Sequence, residues 1–204
     1  MNIDLKTLSA SEVYFSMIQT LVPRPIAWVL SEHADGRYNL APFSYFTAVS
    51  SSPPLVMISV GKKPDGSDKD THANIEARSH FVIHIPSREQ LEVMNQSSAT
   101  LPAEISEVDE LNLETVSFEG CPLPRLKQAK IAYGCECHEI HPIGDTPQAM
   151  IIGRVNQIYI DDSVVNIDPK GRFKIDTTKL DPVARLGASE YLAGGEIIKL
   201  GRPR

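Results

Sequence analysis

The run Ile26-Ala27-Trp28-Val29-Leu30 is apolar at every position and fenced at both ends. Pro23 and Pro25 force extended backbone before it, so it reads as a first strand. Asp35-Gly36 follows, a strong short-range hairpin signal when it stands between two apolar runs. The next strand is expected over about residues 38–49, ending at the corner Ser50-Ser51-Ser52-Pro53-Pro54. Residues 55–60, apolar and partly β-branched, read as a buried strand, and 81–85 as another. Two longer strands are expected near 131–140 and 150–160, joined by a turn containing Pro142, Gly144 and Pro147.

Helical signals are few. Val13, Met17 and Ile18 with Ser9 or Ser11 as a cap suggest a short helix over 9–20, and 71–79 suggests a second. Residues 87–118 are polar with scattered apolar positions and read as helix and loop. The tail from Asp181 ends in Glu196-Ile197-Ile198-Lys199-Leu200, which is expected to fold back onto the body. Fifteen prolines and twelve glycines in 204 residues favour a β-rich body with irregular connections. The expected fold is mainly β with small helices, a closed or split β-barrel forming a single domain over 1–204.

Charge and cysteine content bound the partners. The formal net charge of −6 argues against wrapping a nucleic-acid backbone, but leaves room for a phosphate held by a few local donors. No stretch approaches the ~20 apolar residues of a membrane span, and the N-terminus lacks the apolar core of a signal peptide. Three cysteines do not make a disulfide framework, so a reducing, cytoplasmic setting is expected.

Three stretches could carry chemistry. Asn39-Leu40-Ala41-Pro42-Phe43-Ser44-Tyr45-Phe46 mixes small, proline and aromatic residues where a plain strand would alternate. Pro42 cannot donate a ladder hydrogen bond, so this strand is expected at an edge or a bulge. Backbone groups freed there can read the polar rim of a planar heterocycle; the same residues also read as an edge strand with no ligand. Lys69-Asp70-Thr71-His72 at a helix start offers free amides, a hydroxyl and an ammonium, a phosphate seat or simply an N-cap. Cys135-Glu136-Cys137-His138-Glu139-Ile140-His141 invites a metal reading; as a strand it puts Cys135, Cys137, Glu139 and His141 on one face and Glu136, His138 and Ile140 on the other, and a C-x-C spacing without a second such pair is a poor tetrahedral site, so buried or barrel-lining residues are expected. No hydrolase elbow, zinc-protease helix or Rossmann glycine fingerprint is present.

PRPIAWV at 23–29, NLAPFSYF at 39–46, SSSPP at 50–54 and KDTHANI at 69–75 together resemble the flavin reductase-like family, which includes flavoredoxin and the reductase components of two-component monooxygenases. Gly144-Asp145 before Ile152-Gly153-Arg154-Val155, the run Asp181-Pro182-Val183-Ala184-Arg185-Leu186-Gly187, Tyr191 and Gly195-Glu196 extend the likeness over nearly the whole chain. The resemblance implies an FMN-binding split β-barrel with Greek-key-like topology, a homodimer with flavin near the subunit interface, and NADH or NADPH as hydride donor. It implies Asn39, Ala41, Pro42, Phe43 and Ser44 at the isoalloxazine and Ser50 along the ribityl chain. It places Ser59, Gly61, Lys69, Thr71 and Asn74 toward the phosphate, and Arg24 and Arg185 at the rim or phosphate. No residue is implied as an acid–base catalyst. Many relatives place histidine after the Gly-Asp pair, where this chain has Thr146; His141 or His138 is the substitute expected to approach. The implied activities are flavin reduction feeding a partner oxygenase, or electron carriage with resident FMN exchanging with other redox proteins. A barrel without redox turnover, or one holding F420, haem or pyridoxal phosphate, stays open beside them.

Overall fold

The computed structural model describes residues 1–102 and 104–201. In chain order its strands are β1 (Arg24–Pro25), β2 (Ala27–Glu32), β3 (Tyr38–Phe43), β4 (Phe46–Ser51), β5 (Pro54–Val60), β6 (His80–His84), β7 (Thr115–Val116), β8 (Arg125–Leu126), β9 (Ile131–Pro142), β10 (Ala149–Ile160), β11 (Val165–Ile167), β12 (Phe173–Ile175), β13 (Val183–Arg185) and β14 (Tyr191–Ala193). Its α-helices are α1 (Ala10–Thr20), α2 (Asp70–Arg78), α3 (Leu91–Gln96), α4 (Glu107–Glu110) and α5 (Thr177–Leu180).

Seven strands make one antiparallel sheet in the order β3-β2-β6-β9-β10-β5-β4. The two edges, β3 and β4, are consecutive in sequence and joined by Ser44 and Tyr45 alone. The chain therefore steps from one edge to the other and rolls the sheet into a split barrel. Ser59 N–H donates to Tyr45 C=O at 2.9 Å, stitching the step to β5. The single strand expected over 38–49 is thus two strands broken at the step.

Both faces of the sheet are covered near β2, which explains its unbroken apolar run. Ala27 and Val29 point inward with Val56, Ile58, Val60, Phe81, Ile83, Cys135 and Ile151, filling the barrel. Ile26, Trp28 and Leu30 point outward against Leu40, Val82, Met94, Val108, Phe118 and Leu126, much of that cover coming from the irregular segment before β9. Trp28 Nε1 donates to Ser97 Oγ at 2.8 Å, so its one polar atom is satisfied under this layer.

His84 pins the same layer. Fully buried, it sits with Nδ1 3.0 Å from Trp28 C=O, while Nε2 accepts from Leu126 N–H at 3.0 Å. A carbonyl can only accept and an amide can only donate, so the ring is neutral with its proton on Nδ1.

The β9–β10 ladder carries a bulge at His138, where Glu139 pairs with Ile152 but Cys137 with Gly153. The extra residue reverses the face of everything beyond it. Cys135, Cys137 and Ile140 join the barrel interior, whereas Glu139 and His141 lie exposed, bonded to each other at 2.5 Å. This corrects the simple alternation expected from sequence. Among the described residues no three His, Cys, Asp or Glu side chains gather as a metal site. The tail also differs from expectation: Ile197, Ile198 and Leu200 are exposed and outside regular structure, and it is β13–β14 that packs back, pairing with β1. No helix among the described residues is long and apolar enough to cross a membrane.

Two predictions follow from the barrel. Gly153 faces inward, and a Cβ there would run into the Phe81 ring, itself 1% exposed. Gly153→Val should therefore cost about 1–3 kcal/mol in urea unfolding, and an unchanged midpoint would contradict this packing. Burial, reinforced by the charge of Arg125, pushes the His84 pKa down to about 4 from 6.5. The unfolded chain then binds the extra proton first, so stability is full above pH 6.5 and drains as pH falls toward 4. Unfolding at pH 7 and pH 4.5 should show a larger loss in the wild type than in His84→Gln, and equal losses would remove His84 as the cause.

Candidate functional site

The site is built on the open side of β3. In an antiparallel strand successive residues turn their N–H and C=O groups to opposite sides. Leu40 N–H donates to Glu107 Oε2 at 2.9 Å, and Tyr38 C=O accepts from Ser106 Oγ at 2.6 Å, so the even positions face away from β2. The first residues of the α4 segment thereby plug the upper half of this edge. Two residues on, Pro42 occupies the same orientation, where its missing donor removes nothing from the ladder. Pro42 C=O thus faces away from β2, and Pro42, Phe43 and Ser44, the last just past the end of the strand, line a groove there.

That groove has two lobes, which meet at Ser98 and lie on successive residues of β3. The first, about 330 Å³, is lined by Asn39 and Ala41, by Lys62, Lys63, Lys69, Asp70 and Thr71, and by residues 97–101 with Glu107. The second, about 220 Å³, is lined by Pro42, Phe43 and Ser44, by Tyr14, Ile26, Met94 and Asn95, and by Arg185 and Tyr191.

The first lobe ends at the start of α2. Lys69 is the N-cap residue and makes no side-chain cap bond, so the amides of the first turn stay free of side-chain capping. Both carboxylates here are engaged. Asp70 pairs with Lys63 Nζ at 2.8 Å, and Glu107, 7% exposed, holds the Leu40 amide. Burial raises the Glu107 pKa, against the pull of that amide. Lys62 is paired with Asp68 at 2.9 Å. Lys69 has no carboxylate partner among the described residues; its ammonium stands 5.9 Å from the Phe43 ring centre. The free cation and the uncapped helix start sit together, an arrangement suited to an anion.

Beneath this lobe runs a buried polar network. Asn39 Nδ2 donates to Thr71 Oγ1 at 2.9 Å and to Ser31 Oγ at 3.3 Å, while Asn74 Nδ2 donates to Ser31 Oγ at 3.2 Å. Arg78 donates to Asn74 Oδ1 at 2.6 Å, closing the chain. Through it α2 is fixed to β2 and β3.

The structure brings eight of the thirteen sequence-selected residues to the groove: Asn39, Ala41, Lys69 and Thr71 in the first lobe, Pro42, Phe43, Ser44 and Arg185 in the second. Five lie elsewhere. Asn74 is 3% exposed and belongs to the network below. Ser50 is exposed on β4. Ser59 and Gly61 abut Gln148 of the β9–β10 turn, with Ser59 Oγ 3.4 Å from Gln148 Oε1. Arg24 is 5% exposed and its guanidinium donates to the carbonyls of Ile18, Leu21 and Leu186 at 2.8, 2.6 and 2.9 Å and to Ser44 Oγ at 3.4 Å. It ties α1 and the C-terminal hairpin to β3 instead of offering its charge at a rim. Neither His138 nor His141 is among the described residues lining either lobe. Sequence reasoning missed Lys63, Glu107 and the 97–101 loop, whose groove position depends on tertiary contacts, and read Asp70 as a possible cap where it pairs with Lys63. Tyr191, which the family likeness includes without a role, lines the second lobe.

Comparison with known proteins gives a consistent picture. The sequence model described as "Flavin reductase like domain" matches residues 19–173. An uncharacterized protein of Halalkalibacterium halodurans is 38% identical, covering 100% of this chain and 97% of its own. Nitrilotriacetate monooxygenase component B from Bacillus cereus superposes with a TM-score of 0.89 at 31% identity, covering 98% of each chain. The 2-nitrobenzoate 2-nitroreductase of Pseudomonas fluorescens superposes with a TM-score of 0.86 at 27% identity, covering 100% of this chain and 96% of its own. On sequence and fold alike, the chain belongs to the flavin reductase-like family.

Proposed function

We propose that the groove along the open side of β3 binds FMN and that the chain is an NAD(P)H-dependent flavin oxidoreductase. The observation that carries this reading is a single surface with two matched ends. Unpaired backbone groups at Pro42 and Ser44 suit the polar rim of a flat heterocycle. About one lobe away, free helix amides with Lys69 suit a phosphate. Bound there, FMN supplies the redox chemistry, and NADH or NADPH is the hydride donor of this reading. The chain's own residues do the rest. Lys69 and the first turn of α2 hold the phosphate; Thr71, anchored by Asn39, keeps that turn against β3. Pro42 C=O and Ser44 N–H orient the ring, and Phe43, 7% exposed, keeps the barrel floor beneath it dry. No side chain is assigned an obligatory proton transfer.

A homodimer fits the apolar side chains Tyr14, Phe15 and Met17 exposed along α1 and Leu21 at its C-cap, with Tyr14 lining the second lobe. The likeness to a monooxygenase component supports an oxygenase as recipient of reduced flavin. Cys121, Cys135 and Cys137 are all free thiols, which suits a reducing cytoplasm.

One observation favours a second reading, a carrier that keeps its FMN and exchanges electrons with other redox proteins. After Gly144-Asp145 stands Thr146, whose hydroxyl donates to Ile143 C=O at 2.7 Å and closes its own turn. That turn abuts Ser59 and Gly61 and presents no histidine to the groove.

Two experiments test these readings. Under anaerobic conditions NADH or NADPH should bleach the flavin absorbance of the FMN-loaded protein faster than that of free FMN. Equal rates with both donors would end the reductase reading, and tight FMN retention through gel filtration would then favour the carrier. Replacing Lys69 and Thr71 together with Ala should weaken FMN by about tenfold or more, the worth of a charge-assisted contact, and riboflavin much less. Equal weakening of both would show that the phosphate sits elsewhere.

A further inference from the structure

The protein uses the Glu107 carboxylate through one of its two oxygens. Oε2 accepts from Leu40 N–H at 2.9 Å, and no side chain among the described residues donates to Oε1. No described cation lies within ion-pair distance of it; Lys63 is held by Asp70 and Lys62 by Asp68. A carboxylate has room for about four donors, and a buried one that lacks them is costly. Burial accordingly raises the Glu107 pKa, against the pull of the Leu40 amide and its own. Yet Oε1 is not sealed off. Among the described residues Arg37 Nη1 is the one side-chain nitrogen or oxygen closed to solvent without a partner. Oε1 of Glu107, a residue only 7% exposed, therefore opens into the first lobe, which Glu107 lines.

Position along β3 gives this oxygen a use. Leu40 stands between Asn39, which holds Thr71 at the start of α2, and Pro42, which lines the second lobe. At ~3.4 Å per residue, Leu40 and Pro42 lie about 7 Å apart on the same side of the strand. A ligand with its ring at Pro42 and its anion at Lys69 lays the connecting chain beside Glu107. That placement rests on the flavin reading above.

The lobe's chemistry narrows what Oε1 can take. Lys62, Lys63 and Lys69 line the same lobe and disfavour an ammonium, while the charge of Asp70 disfavours a further anion at this point. Ser97 and Ser98, the serines of the lobe, donate instead to Met94 C=O and Asn95 C=O. Neutral donors brought by the ligand remain. On a chain linking a flavin ring to a phosphate, those are the ribityl hydroxyls.

We propose that Glu107 selects a hydroxylated side chain on the flavin, one carboxylate oxygen accepting from the ribityl hydroxyls while the other holds β3. Its double duty makes it a specificity-determining residue of the groove.

The test uses the full chain and two phosphate-free probes, so that the Lys69 end takes no part. These are riboflavin and lumiflavin, which has the same ring with a methyl group in place of the ribityl chain. Binding is followed by flavin fluorescence. Riboflavin should bind about tenfold or more tightly than lumiflavin, the worth of a hydrogen bond to a charged group. Glu107→Gln keeps an acceptor for Leu40 N–H but loses the charge. It should weaken riboflavin about fivefold or more and leave lumiflavin unchanged. Ser106→Ala removes the neighbouring 2.6 Å bond to Tyr38 C=O, loosening the same plug with the carboxylate in place, and should keep the preference. Equal affinities in the wild type, a comparison that needs no variant to fold, would overturn the proposal. So would a folded Glu107→Gln protein that weakens both flavins alike, or a Ser106→Ala protein that loses the preference, because Glu107 would then only brace the edge. If neither flavin binds the wild type, the flavin reading fails and takes this one with it. If both bind without preference, that reading stands and this one falls.

Discussion

A strand that forms one edge of a sheet and, two residues later, begins the opposite edge cannot keep its backbone paired on both sides. In this chain Ser44 and Tyr45 make that step, and the site is a consequence of it. Along β3 the outer side is satisfied by Ser106 and Glu107 as far as Leu40. Beyond the step, Tyr45 C=O is taken by Ser59. Between those two fixed points the groups at Pro42 and Ser44 are left facing a groove, and a polar rim on a ligand can replace the missing strand. Proline suits the position because the outward side of an edge is where a ladder donor is dispensable.

Electrostatics sharpen the groove against the sign of the whole molecule. The chain carries a formal charge of −6, yet around β3 the acidic groups are occupied, while two of the cations, Lys69 and Arg185, have no carboxylate partner among the described residues. Asp70 holds Lys63 and Glu107 holds a backbone amide, leaving Lys69 and the α2 amides at one end. Arg185 and the carbonyl-bound Arg24 leave positive charge at the other. Local potential of this kind is set by a few oriented groups at close range, while net charge governs solubility and long-range encounter.

Much of this was legible in the residues. Short apolar runs between Pro and Gly signals gave the strands, and Pro42 in an apolar segment marked an edge, which β3 is. The second helix was visible within one residue, Asp70–Arg78 against the expected 71–79, but its cap was not: Lys69 is the N-cap residue, without a side-chain cap bond, in place of Asp70 or Thr71. Three things were hidden. The break at Ser44 and Tyr45 depends on barrel closure, a property of the whole sheet. The bulge at His138 adds one residue to a ladder and reverses side-chain faces, a change that no periodicity within β9 announces. Residues such as Asn74 and Arg24 carry the right chemistry for a ligand but are consumed by protein partners, and only the packed structure shows which donors remain. The groove contributions of Glu107 and residues 97–101 come from a segment whose irregular sequence gave no period to read.

The account turns on where a flavin nucleotide touches the backbone, and amide chemical shifts report that most directly. In the ¹⁵N spectrum of the labelled protein titrated with FMN, the Ser44 amide and the amides of Asp70, Thr71 and His72 should move together. With riboflavin the Ser44 amide should still move while the three helix amides stay in place. Tight flavin binding that leaves all four amides unmoved would contradict the account.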